Sequence, residues 1–332
     1  MTLDVVTVGP LNVDLLITGN APTDLNELTQ WIGPSDVTVT AAGSNGYATL
    51  AFAQLGLRTG VVAVLADDTL GDVVHQEMVQ AGVDVSHLTR QPHTQSGIGI
   101  YLLLFGDKKR PLTYRYPTHF PWPNPLGQAD QDFLLSGRHV HCAGYLHYRE
   151  MWNDDLAKLY RAAQAHGLTT SFDPQSMLID YEGAWIDPVH EILKHTDLLL
   201  VDAHEASRLA ASDDLITATL VLQQAGPRIV VIKNGLYGAF VCLRERSFRQ
   251  PAVVVPEEEI VDSVGAGDTF DAAFVAAFLW GWPMERCAQF ALAAAASSLR
   301  GAGAVSSLAS RAELERQLDQ EQNKSAPGWV NQ

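Results

Sequence analysis

The segment Asp262-Ser263-Val264-Gly265-Ala266-Gly267-Asp268-Thr269-Phe270 combines what chemistry on a charged group needs: backbone amides free of bulky side chains, a helix start and a carboxylate. Two glycines flanking an alanine allow a tight turn and leave N–H groups uncovered, so the turn is expected to form a nest for an anion. Phe270, Phe274, Ala277 and Phe278 follow at the spacing of one buried helix face, and the positive end of that helix adds to the nest. Asp268 falls where the anion would sit, which suits a carboxylate only if it handles a proton or a metal during chemistry. The same letters also fit a plain glycine turn closed by an acidic residue. The apolar approach at Ile260-Val261 and the helix behind the turn favour the chemical reading.

Such a turn needs a rigid frame. Short β-branched runs at Val5–Val8, Val61–Leu65, Leu168–Phe172, Leu198–Val201 and Ile229–Ile232 alternate with helical patterns at Ser44–Leu55, Gly71–Ala81, Trp152–His166 and Glu205–Ala211. That alternation predicts a mostly parallel sheet with helices on both faces. Two stretches break the rhythm. Asp14–Asn20 with Asp36–Thr40, and Gly97–Phe105 with Pro111–Tyr116, read as strands without an intervening helix, and together they predict a small separate sheet that would serve as a lid. Gly106-Asp107-Lys108-Lys109-Arg110 fits a hairpin tip in water. The expected organisation is one domain over 1–315, with lid strands inserted at about 14–40 and 97–117, followed by a polar tail over 316–332 that frays from Gln317.

Composition narrows the partners. A chain of 332 residues that is 47% hydrophobic can bury one large core, and a net charge of -16, from 22 basic against 38 acidic residues, speaks against nucleic acid. Cys142, Cys242 and Cys287 show no metal spacing and read as reduced thiols of a cytoplasmic protein. The start Met1-Thr2-Leu3-Asp4 carries no basic leader, and the apolar stretches Ala272–Trp282 and Ala288–Ser298 are short and alanine-rich, as in packed helices rather than membrane spans.

Four motifs in order carry a resemblance over nearly the whole chain: Gly9-Pro10-Leu11-Asn12-Val13-Asp14; Ala42-Gly43-Ser44-Asn45-Gly46-Tyr47-Ala48 through Leu55-Gly56; Asp202-Ala203-His204-Glu205; and the Gly265–Asp268 turn. Together they resemble the ribokinase-like, or PfkB, carbohydrate kinases. The resemblance implies a three-layer α/β/α core with a small β-sheet lid, ATP and Mg2+ as co-substrate and cofactor, a monovalent cation such as K+, and a homodimer formed through the lid. It implies Asp268 as catalytic base and the amides of Gly265, Ala266 and Gly267 as the hole for the transferring phosphoryl group. It also implies acceptor contacts at Asn12, Asp14, Gly43, Ser44 and Tyr47, and nucleotide contacts in Lys233-Asn234-Gly235-Leu236-Tyr237-Gly238, at Lys233, Gly235 and Gly238. Magnesium would be held through water by Glu205 and Asp202, and the monovalent cation near Asp262 and the loop Ser298–Gly303.

The chemistry agrees, because phosphoryl transfer to an alcohol builds charge on equatorial oxygens that positioned amides can hold. A carboxylate cannot fully deprotonate an alcohol in the ground state, so Asp268 would orient the hydroxyl and accept its proton late. Asn12 and Asp14, at a strand end, can donate to and accept from sugar hydroxyls; a strand-end aspartate capping a turn is the alternative, and the resemblance favours the sugar contact.

Three positions depart from the pattern of most relatives. Tyr47 stands where they carry an asparagine that contacts sugar, Asp202 replaces an asparagine, and Asp173-Pro174-Gln175 only partly matches an Asp-x-Asn element. His139 and His141 share a strand face that Cys142 does not, which argues against a metal site there. Tyr114, Tyr116, Phe120 and Trp122 fit stacking on a base or sugar ring, and equally lid packing or a dimer contact. The chain contains no GxxxxGK[ST] loop and no complete GxGxxG. The expectation is therefore an ATP-dependent kinase acting on a hydroxymethyl group of a small carbohydrate. A nucleoside kinase of the same fold and a catalytically silent sugar-binding regulator are the alternatives.

Overall fold

The computed structural model describes residues 2–19, 22, 24–30, 35–102, 113–115 and 126–325. Its strands are β1 (Val5–Val8), β2 (Asn12–Gly19), β3 (Ser35–Ala42), β4 (Thr59–Ala66), β5 (Asp84–Gln91), β6 (Ile98–Leu102), β7 (Thr113–Arg115), β8 (His139–Ala143), β9 (Thr169–Asp173), β10 (Leu198–Asp202), β11 (Ile229–Lys233), β12 (Ala239–Leu243) and β13 (Ser247–Gln250). One sheet of nine strands has the order β13-β12-β11-β10-β9-β8-β1-β4-β5. Its neighbours from β11 to β5 are all parallel, and β12 and β13 extend it antiparallel.

Parallel neighbours need crossovers, and helices supply them on both faces. The period of two along each strand divides the core accordingly. On β10, Leu198 and Leu200 join the helices Ser44–Gln54, Ala266–Leu279 and Met284–Ser298 on one face, while Leu199 and Val201 join the Asp155–Ala165 helix on the other. The mostly parallel, helix-covered sheet expected from the sequence is observed.

The small separate sheet is present too, with order β3-β2-β6-β7. In it β2 pairs antiparallel with β3 and parallel with β6, and β6 pairs antiparallel with β7. The expected direct strand-to-strand connection in its first half is corrected, because a helix at Leu25–Gln30 lies between β2 and β3. Asp24 starts it by accepting from the N–H groups of Asn26 and Glu27, an N-cap signal that the sequence carried. The hairpin tip Gly106–Arg110 and the aromatics Tyr116, Phe120 and Trp122 lie outside the described residues.

The C-terminal expectation also needs correction. Residues Arg311–Ser325 form a helix, opened by a reciprocal Ser310–Glu313 cap, and Leu314 and Leu318 are buried in the core. The chain therefore stays packed past Gln317, where fraying was expected. Arg311 lies 3.7 Å over the Trp280 ring and fixes this helix to the preceding pair.

Candidate functional site

Helix Ala266–Leu279 opens at Gly265, whose φ of 74° and ψ of 5° are left-handed. A Cβ there would lie 2.3 Å from Cβ of Ala304 and 2.9 Å from the Tyr47 ring, so both space and conformation demand glycine. The Ala266 N–H turns back to the Ser263 carbonyl at 3.3 Å, while the N–H groups of Gly265 and Gly267 enter no backbone hydrogen bond. This modifies the expectation of three equivalent amides: two stand ready and the third closes the turn.

The carboxyl of Asp268 is buried, and burial together with Asp173 pushes it well above the ordinary carboxylate range; Asp14 adds to the rise, while Lys233 and the Ser44 hydroxyl oppose it. Gln175 Nε2 donates to its Oδ1 at 3.2 Å.

Next to this helix start lies a cavity of about 480 Å³. Its polar wall includes Asp202, Glu205, Lys233, Gly235, Gly238 and the Gly265–Asp268 turn, and its apolar wall includes Val253, Val255, Phe270, Leu292 and Leu299. Asp202 and Glu205 form a reciprocal cap at the start of helix Ala203–Ala210. Asp202 Oδ1 accepts the Glu205 N–H at 2.7 Å, and Glu205 Oε2 accepts the Asp202 N–H at 2.8 Å. Capping needs only a side-chain oxygen, which explains how aspartate serves at 202 as well as asparagine would. Burial, with Asp173 and Asp202 nearby, pushes Glu205 up to about 8. Two acids with oxygen donors on a cavity wall, one of them short of countercharge, fit a hard divalent cation.

Lys233 is placed differently from a simple nucleotide contact. Its Nζ lies 2.9 Å from Asp173 Oδ2 and 2.7 Å from Asp271 Oδ2, and it edges the cavity from within this buried group. Burial alone would raise Asp173, but Lys233, the Asp271 carboxyl and the Gln175 N–H together hold it below its ordinary value. Asp271 Oδ1 has no partner, and burial beside ionised Asp173 pushes that carboxyl well up.

Asn12, Asp14, Gly43, Ser44 and Tyr47 do not line the cavity; of them, Ser44 and Asp14 act on the Asp268 carboxyl and Tyr47 lies against Gly265. Asn12 and Asp14 are buried on β2. Gly43 begins helix Ser44–Gln54 with φ 82°, and a Cβ there would lie 3.1 Å from the Pro10 carbonyl oxygen. The Tyr47 hydroxyl donates to Asp14 Oδ2 at 2.6 Å, and the Tyr148 hydroxyl donates to Asn12 Oδ1 at 3.3 Å. Burial pushes Asp14 up to about 7, with the Tyr47 donor working against the rise.

Asp262 is buried and accepts from the Val264 N–H at 2.7 Å and the Gly303 N–H at 2.9 Å, so it ties the Ser298–Gly303 loop to the glycine turn. His139 and His141 share a face as expected; both contact the Ser171 hydroxyl at 2.7 Å. No cluster that could hold a metal directly occurs among the described residues.

Sequence reasoning missed Asp271 and the part played by Gln175. A carboxylate three residues after Asp268 in an otherwise apolar helix was the available signal for the first.

The pfkB family carbohydrate kinase profile matches residues 6–311. An ATP-dependent ribose-1-phosphate kinase of Halopiger xanaduensis is 27% identical over 264 residues, which is 80% of this chain and 82% of that protein. Among solved structures, one from E. coli assigned as a ribokinase II, in complex with ATP and Mg2+, matches at 21% identity with a TM-score of 0.79, covering 96% of this chain and 99% of that one. The ribokinase of Arabidopsis thaliana with ribose and ATP matches at 22% identity and a TM-score of 0.76, covering 96% and 99%. The order of the sheet, the glycine turn and the extent of the family match lead to one conclusion: the chain belongs to the pfkB family of carbohydrate kinases.

Proposed function

We propose that this carbohydrate kinase transfers the γ-phosphoryl group of ATP to a hydroxymethyl group of a small carbohydrate, with Asp268 as the base. One observation carries the reading: Asp268 is the buried carboxyl between the cavity with its two ready amides and the Asn12–Asp14 end of β2. In this reading ATP occupies the cavity, its base against the apolar wall and its phosphates toward the Gly265 and Gly267 amides, with Gly235 and Gly238 lining the way in. Asn12, Asp14, Gly43 and Ser44 receive the acceptor, with Tyr47 behind Asp14. The acceptor hydroxyl meets Asp268, which orients it and takes its proton as the oxygen bonds to phosphorus and the bond to the ADP leaving oxygen breaks. Mg2+, held through water by Asp202 and Glu205, would supply neutralisation of phosphate charge.

Release of ADP from ATP and Mg2+ across pentoses, hexoses, sugar acids, sugar phosphates, polyols and nucleosides tests the reading. Absence of turnover with every acceptor would favour a silent sugar-binding regulator, and turnover with nucleosides alone a nucleoside kinase. Asp268→Asn should lower kcat at least about a hundredfold and leave acceptor affinity nearly intact; retained turnover removes Asp268 as base.

Three finer points belong to the same proposal. A K+ ion near Asp262 and the Ser298–Gly303 loop would be read from the salt dependence of kcat. A homodimer through the small sheet is supported by the exposed valines Val37 and Val39 on its edge strand β3, and light scattering should give twice the chain mass. A cytoplasmic setting is consistent with three free, buried cysteines.

A further inference from the structure

At the end of β9 the chain passes through Pro174 into Gln175, whose φ of 63° is left-handed and disfavoured for a residue with a Cβ. The surroundings impose it. The Gln175 N–H donates to Asp173 Oδ1 at 2.9 Å, and the Asp173 and Pro174 carbonyls accept from the N–H groups of Gly144 and Leu146 at 3.1 and 2.9 Å. The result of this turn is the placement of one amide. Gln175 Nε2 donates to Asp173 Oδ2 at 2.9 Å and to Asp268 Oδ1 at 3.2 Å. Both partners are carboxylate oxygens, which fixes the orientation of the side-chain amide. Asp173 is held in turn by Lys233, and Lys233 by Asp271, one turn along the helix from Asp268.

We propose that Gln175 is a positioning residue for Asp268, and that the buried Asp173–Lys233–Asp271 group anchors its amide. The inference rests on Asp268 acting as base. An amide on Oδ1, together with the Ser44 hydroxyl, fixes the orientation of the carboxylate that meets the acceptor hydroxyl. It also adds a donor that favours the ionised form. The groups facing Asp268 are Asp14 on β2, Ser44 at its helix start, Asp173 on β9 and Lys233 on β11, and the two aspartates oppose its charge. Removal of the amide should therefore move the acid limb of kcat/KM to higher pH.

Gln175→Gly is the main test, because glycine accepts the left-handed backbone and removes the side chain with its amide while keeping the backbone N–H on Asp173. Expected are a fall in kcat of about tenfold or more, KM for ATP and acceptor within about twofold, an acid limb shifted upward and an unchanged or higher Tm. Gln175→Asn, whose amide is one carbon shorter, should show the same loss. Wild-type kcat and acid limb in Gln175→Gly overturn the proposal. So does a lowered Tm, which would assign Gln175 to the fold. Asp268→Asn run alongside separates the two readings: retained turnover there refutes the base, whereas a dead Asp268→Asn beside an unaffected Gln175→Gly refutes only the positioning role.

Discussion

At the residue scale the proposed acceptor side turns on the pair Asp14 and Tyr47. The phenol donates to one carboxylate oxygen and its ring backs Gly265, so one side chain touches both the Asp14 carboxyl and the glycine turn. A hydrogen bond to a charged group contributes about 1.5 kcal/mol or more, so Tyr47→Phe should raise acceptor KM at pH 7 by about tenfold and recover toward pH 9, as read from KM across pH. The sign for stability follows from Asp14 standing near 7 when folded, against 3.8 for the free group. The folded state holds the proton more tightly, so this residue's contribution to stability is lost as pH rises from about 4 through 7. Asp14→Asn cannot ionise, and its urea midpoint should fall less between pH 5 and 8 than that of the unmodified protein. Equal slopes would remove Asp14 as the cause. The sequence marked Tyr47 as unusual without showing why, since its partner is 33 residues away.

At the element scale the helix Ala266–Leu279 brings the amides and Asp268 into place in a single turn, which is why that part of the site was legible from nine consecutive residues. Gly265→Ala should cost about 2–4 kcal/mol, from the left-handed backbone and the contact with Ala304, and should lower kcat as well. Thermal melts and initial rates check both. What the sequence could not show are links between elements: Gln175 to Asp268 spans 93 residues, Lys233 to Asp173 spans 60 and Lys233 to Asp271 spans 38. Such contacts have no local periodicity to betray them. The short Leu25–Gln30 helix and the C-terminal helix were missed for another reason, because polar composition outweighed their capping residues Asp24 and Ser310. The buried Leu314 shows how firmly the latter docks. Leu314→Ala should lose about 2–4 kcal/mol in urea unfolding.

For the molecule as a whole, alternation of strand and helix was legible at β1, β4, β9, β10 and β11, whose buried parallel strands are mostly apolar or β-branched, whereas the edge strands β5 and β13 largely alternate exposed and half-buried residues and carry no such run. Pairing in the small sheet was less legible: β2 lies parallel to β6, a neighbour determined by the return of the chain rather than by either strand's pattern. The site spans this division. Asn12, Asp14, Gly43, Ser44 and Tyr47 come from the first fifty residues, while the cavity and its turn are built from Gln175 onward. The two halves meet along the packed helices Ser44–Gln54 and Ala266–Leu279, with Ser44 at Asp268 and Tyr47 against Gly265 where they reach the candidate site. Because helices Ser44–Gln54 and Ala266–Leu279 share one core, a change of side-chain volume in their contact would shift the proposed acceptor residues and the glycine turn together rather than one alone.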